Sequence, residues 1–121
     1  HFKARQAAHA AHCADEQGKF WAMHDILFAQ SAKLDPRQYP AYAKQLKLDA
    51  FAFDICMSSG KQNAKIDRGL ASGKSVGINA TPSFIIAPTT RGDILSGGTL
   101  ITGAQPFEQF RDAIEQALTA K

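Results

Sequence analysis

The chain has 121 residues, 45% apolar and 21% charged, with a net charge of +3. That is the length of one domain, and the composition is too apolar for a disordered chain. No stretch approaches the roughly 18 uninterrupted apolar residues of a membrane-spanning helix. Lys and Arg are scattered among Asp and Glu without an aromatic-interleaved basic run, so nucleic acid is not an expected partner.

The first two thirds read as helix. Ala7, Ala8, Ala11 and Ala14 recur on one face with Cys13 beside them, and Gly18 breaks the run. Phe20, Trp21, His24, Leu27 and Phe28 follow at helical spacing. Small residues on the first helix and large ones on the second suit close packing of the pair. Asp35-Pro36 opens a third helical segment through Tyr39, Tyr42, Ala43 and Leu46. Pro40 must fall in its first turn, or the helix starts later. Asp49 has the chemistry of an N-cap for a short helix bearing Phe53, Cys56 and Met57, closed by Ser59-Gly60. A fifth helix runs from about Lys61, with Gly73 and Gly77 punctuating its end. The pattern then changes. Ser83–Ala87, an apolar run bounded by Pro82 and Pro88, reads as a strand. A Thr- and Gly-rich loop leads to a second strand over Thr99–Thr102, giving an antiparallel hairpin. Pro106 opens a last amphipathic helix with Phe107, Phe110, Ile114 and Leu118 on one face.

Several motifs fail on inspection. Gly69 to Ser75 resembles a phosphate loop, but it has one residue too few and follows a helix instead of a strand. His9, His12 and Cys13 lie close on one helix and Cys56 could approach them, yet Cys13 is turned about 100° from His12, and zinc wants four converging ligands. No metal centre and no cofactor are expected. No nucleophile elbow supports a Ser/His/Asp triad. The two cysteines, Cys13 and Cys56, form no C-x-x-C pair. They suit one disulfide in an oxidising compartment or two buried thiols in a reducing one. Thr81-Pro82 opens the first strand, where Pro is tolerated because it has no N–H to donate; local sequence does not decide whether that bond is cis or trans.

Together the motifs resemble the DsbA-like thioredoxin-fold disulfide oxidoreductases, in the branch with a helical insertion. The residues that carry the likeness are Ala7-Ala8 through Cys13-Ala14, Gln17-Gly18-Lys19-Phe20-Trp21 with Met23-His24-Asp25 and Leu27-Phe28, Phe53 with Cys56, Ser59-Gly60-Lys61, Gly77 to Phe84, and Gly103-Ala104-Gln105-Pro106-Phe107. The resemblance implies an α/β, incomplete thioredoxin-like fold. Residues 4–76 would form the helical insertion, and residues 77–121 the C-terminal β-β-α half. It also implies a cis bond at Thr81-Pro82, in a loop whose backbone pairs with an extended substrate peptide. A non-catalytic Cys13–Cys56 disulfide is implied in the same way.

The departure from the family is as informative. Its first strand, its C-x-x-C and its second strand would all precede His1, and the abrupt opening reads as a chain cut inside a domain. Oxidoreductase chemistry needs a low-pKa thiolate at a helix N-terminus and a resolving cysteine. Neither Cys13 nor Cys56 has that setting. These residues alone are therefore expected to carry no catalytic group and no activity. The resemblance implies a portion of a periplasmic or secreted oxidoreductase acting on extended protein substrates with a redox partner, although no signal peptide is present in the sequence. The other reading is a non-catalytic peptide-binding module. In either case the strand from Ser83 would lack a neighbour, so a homo-oligomer or strand-swapped dimer is expected.

Overall fold

A computed structural model describes residues 2–89 and 97–119. The chain divides into two compact units, His1–Ala71 and Ser72–Lys121.

The first unit is helical. Helix α1 (Phe2–Asp15) ends where Gly18 takes a left-handed φ of 72°, and the Lys19 N–H returns to the Ala14 carbonyl at 3.0 Å. Glycine takes that conformation without a Cβ clash. Helix α2 (Phe20–Ala29) packs back on α1. The third segment starts later than Asp35-Pro36. Pro36–Gln38 form a 3-10 turn, and α3 spans Tyr39–Gln45. Pro40 has no N–H to give, so only the first turn of a helix accommodates it. Helix α4 (Ala50–Ser59) is capped by Asp49, whose Oδ1 accepts from the Ala52 N–H at 2.9 Å. Helix α5 (Asn63–Ser75) follows Gly60 and contains Gly73, which therefore does not end it.

The core of this unit holds Ala10, Cys13, Ala14, Met23, Tyr39, Ala43, Phe53 and Cys56. The expected single alanine face of α1 is divided between two neighbours. Ala10, Cys13 and Ala14 point into the core, Ala8 lines a groove with α2, and Ala7 and Ala11 touch both.

The second unit is a hairpin with one helix. Strands β1 (Ser83–Ile86) and β2 (Thr99–Thr102) are antiparallel, with Ser83 opposite Thr102 and Ile86 opposite Thr99. Ala87 falls outside the strand. Much of the expected connecting loop, residues 90–96, lies outside the described residues, as does His1. Helix α6 (Phe107–Thr119) crosses the hairpin, with Phe110 edge-on to Phe84 at 5.0 Å and Ala113 buried. Phe107, Ile114 and Leu118, expected on the packed face, are instead exposed. Two strands make too narrow a surface to cover the whole apolar stripe. The division between the units falls inside α5, whereas residues 76 and 77 mark the boundary in the sequence. The last turn of α5 belongs with the hairpin unit: Gly73 lies against Ile78, and Gly77 lies near Leu100.

The result is a mixed helix-and-sheet chain. Among the described residues its sheet has two strands.

Candidate functional site

Thr81 and Pro82 lead into β1, and both are exposed. Their peptide bond is cis. The Pro82 carbonyl accepts from the Gly103 N–H at 2.7 Å, which ties the loop to the turn leaving β2. Gly103 has a φ of 85°, a value that L side chains rarely adopt. The Gln105 side chain donates to the Thr102 carbonyl at 2.8 Å, and the Gln105 N–H reaches the Gly103 carbonyl at 3.0 Å. On the other side, the Ser83 hydroxyl donates to the Ala80 carbonyl at 2.6 Å. The loop is thus held at both flanks, while none of the described backbone hydrogen bonds uses Thr81 itself. Gly103 and Gln105 stand out in the sequence as part of a recognisable string, but only the structure gives them the task of bracing Pro82.

Cys13 and Cys56 are disulfide-bonded with their Cα atoms 5.7 Å apart, and the chain has no free cysteine. The bond joins α1 to α4. Both residues are buried, at 1% and 2% exposure, which slows attack on the bond by an external thiol. His9 lies beside them, its Nε2 3.2 Å from the Cys56 carbonyl oxygen. A carbonyl only accepts, so Nε2 carries the hydrogen.

The other sequence candidates separate. His9 and Cys13 share a face of α1 with Cys56 opposite, whereas His12 turns toward Phe20, their rings 5.5 Å apart. Burial pushes the His12 imidazole pKa below its usual 6.5, and the positive charge of Lys65 adds to that effect. The Gly69–Ser75 segment is part of α5, with no strand before it, so it does not form a phosphate loop. The sequence reading missed an apolar groove of about 340 Å³ between α1 and α2, with Ala4, Ala8 and Ala11 on one wall and Phe20, Leu27 and Phe28 on the other. Its signal was present as small residues facing large ones, but a well-packed helix pair shows the same signal.

Among curated proteins, the chain is 34% identical over 71% of its length to the Na(+)/H(+) antiporter NhaA 3 of Salinispora tropica. It is 33% identical over 71% of its length to the Na(+)/H(+) antiporter NhaA 1 of Salinispora arenicola. The match to the Na(+)/H(+) antiporter NhaA of Herminiimonas arsenicoxydans is 34% over 66%. The matched segment spans only 13% of each of these proteins. Among the described residues no helix is long and apolar enough to cross a membrane. No solved structure matches the chain significantly. A family model described as thioredoxin matches residues 1–116, nearly the whole chain. The chain belongs to the thioredoxin family.

Proposed function

We propose that this chain is the substrate-gripping portion of a DsbA-like thiol–disulfide oxidoreductase, with the reactive C-x-x-C supplied from outside these residues. The observation that carries this reading is the exposed Thr81–Pro82 loop, braced by Gly103 at the head of β1, in a thioredoxin-family chain. An extended peptide lies along such a loop and pairs with the Thr81 backbone. Cys13 and Cys56 take no part in turnover, because both are locked in a buried bond. A substrate thiolate attacks one sulfur of the external disulfide and forms a mixed disulfide. A second substrate thiolate then displaces that sulfur, so the substrate is oxidised and the C-x-x-C reduced; the reverse sequence reduces a substrate. A Cys13–Cys56 bond suits a periplasmic or secreted location. The antiport named for the relatives is no part of this reading.

The test uses the product of the complete gene and a reduced, unfolded substrate protein. Thr81→Arg and Pro82→Ala should each slow substrate oxidation by about tenfold or more, by removing oriented binding, with unfolding of the helical unit unchanged. Cys13→Ala/Cys56→Ala should retain the rate at temperatures where it stays folded. Equal rates for wild type and both loop variants would contradict the proposal.

A second reading rests on the outer edge of β1. Among the described residues β1 pairs with β2 alone, while Phe84 and Ile85 remain 40% and 36% exposed. A two-stranded sheet is marginal alone, and a bare edge invites another strand. In this reading the chain is a non-catalytic module that completes its sheet with a second copy. Sedimentation separates the two: a concentration-dependent dimer with protected Ser83–Ile86 amides favours the module, and a monomer with freely exchanging amides excludes it.

A further inference from the structure

We propose that the Cys13–Cys56 pair is a redox-gated metal site: when reduced, its two thiolates and the His9 imidazole bind a divalent cation of the zinc class. His9 and Cys13 are four residues apart on α1 and so share a face, and α4 brings Cys56 to them. One ligand atom from each residue lies within 4.8 Å of the other two. All three residues are buried, at 7%, 1% and 2% exposure. The inference does not depend on peptide binding at Thr81–Pro82, which lies in the other compact unit.

The His9 hydrogen bond matters here. Nε2 donates to the Cys56 carbonyl at 3.2 Å, so in the neutral ring the lone pair sits on Nδ1, and ligation requires the ring to present that atom to the sulfurs. An imidazole that ligates through one nitrogen and is oriented by a carbonyl at the other is the usual arrangement around zinc. Two sulfurs and one nitrogen suit a borderline-soft cation, and three protein ligands leave one tetrahedral position open. His12 has no place in the set, since it faces Phe20.

Redox state controls the site because bonded sulfurs offer no thiolate. A dithiol reductant passes two electrons and two protons to the Cys13–Cys56 bond and is itself oxidised to a disulfide. The cation then displaces the two thiol protons, which go to solvent. Burial opposes two free thiolates, whereas a bound cation compensates their charge.

The test uses the 121-residue chain reduced with a phosphine, which takes oxygen from water and leaves no competing thiol. Cobalt(II) is the probe, followed by Zn²⁺. The expected result is one cobalt per chain, with a thiolate-to-cobalt charge-transfer band and the visible bands of tetrahedral coordination, bleached by Zn²⁺. The oxidised chain should show none of these. His9→Gln should weaken affinity by about tenfold or more, while His12→Gln should not. A spectrum and affinity unchanged in His9→Gln would overturn the proposal. So would absent bands in a reduced chain that keeps its helical circular dichroism. If reduction unfolds the chain, Zn²⁺ should restore the helical signal in wild type and less so in His9→Gln; failure to restore it in wild type also overturns the proposal.

Discussion

The carboxamide of Gln17 grips both backbone polar groups of Asp49. Its Oε1 accepts from the Asp49 N–H at 2.7 Å, and its Nε2 donates to the Asp49 carbonyl at 3.2 Å. Asp49 in turn caps α4 through the Ala52 N–H. The turn after α1 therefore fixes the start of the helix that carries Cys56. Gln17→Ala should cost about 1–2 kcal/mol, two net hydrogen bonds' worth, and Asp49→Ala about 1 kcal/mol. The double variant should cost less than the sum, because the two share one network. Urea unfolding of the four chains measures this, and strict additivity would show that the clamp and the cap act independently.

Lys47 holds a left-handed φ of 58° just after α3, where the Leu48 N–H returns to the Ala43 carbonyl at 2.9 Å. This is a glycine position occupied by a residue with a Cβ. The side chain is exposed, so little packing offsets the strain. Lys47→Gly should stabilise the chain by about 1 kcal/mol, and Lys47→Val should destabilise it by at least as much. Thermal unfolding reads both signs. A loss of stability on Lys47→Gly would mean that the lysine makes a contribution beyond its backbone conformation.

The Cys13–Cys56 bond closes a loop with a sequence separation of 43. In the chain-entropy treatment such a crosslink contributes on the order of 4 kcal/mol. Cys13→Ala/Cys56→Ala should lose a large part of that in denaturant titrations. The native chain, labelled under denaturing but non-reducing conditions, should show no free thiol. One or two labelled thiols per chain would show that the bond does not form in solution.

Burial lowers the His12 pKa in the folded chain from its usual 6.5. Below that pH the unfolded chain takes up a proton that the folded chain resists, so stability should fall as pH drops below about 6.5 and level off once the folded chain also protonates. Above pH 7 both states are neutral at this ring and the contribution vanishes. His12→Gln should flatten that part of the curve. An identical slope between pH 7.5 and 5.5 in the variant would place the proton uptake elsewhere.

The elements were legible because their signals are local. Asp49, Gly18 and Gly60 mark helix ends through backbone chemistry, and Pro82 and Pro88 bracket an apolar run too short for a helix. What stayed hidden depends on distant neighbours. The division of the α1 alanines between core and groove follows from where α2 and α4 sit. Likewise, Phe107, Ile114 and Leu118 match an amphipathic stripe, but the width of the facing hairpin decides how much of it is buried. At the candidate site, Thr81, Pro82, Cys13 and Cys56 were visible as residue types in a resembling order. The Gly103 brace and the His9 contact arise only when segments far apart in sequence meet.

The most direct measurement is a titration of the isotope-labelled 121-residue chain with an extended peptide in which serine replaces cysteine, followed amide by amide. A peptide gripped at the Thr81–Pro82 loop should shift the amides of Thr81, Ser83 and Gly103 first and most, and Thr81→Arg should abolish those shifts. Saturating shifts confined to other residues, or none at millimolar peptide, would contradict a substrate-gripping role for this loop.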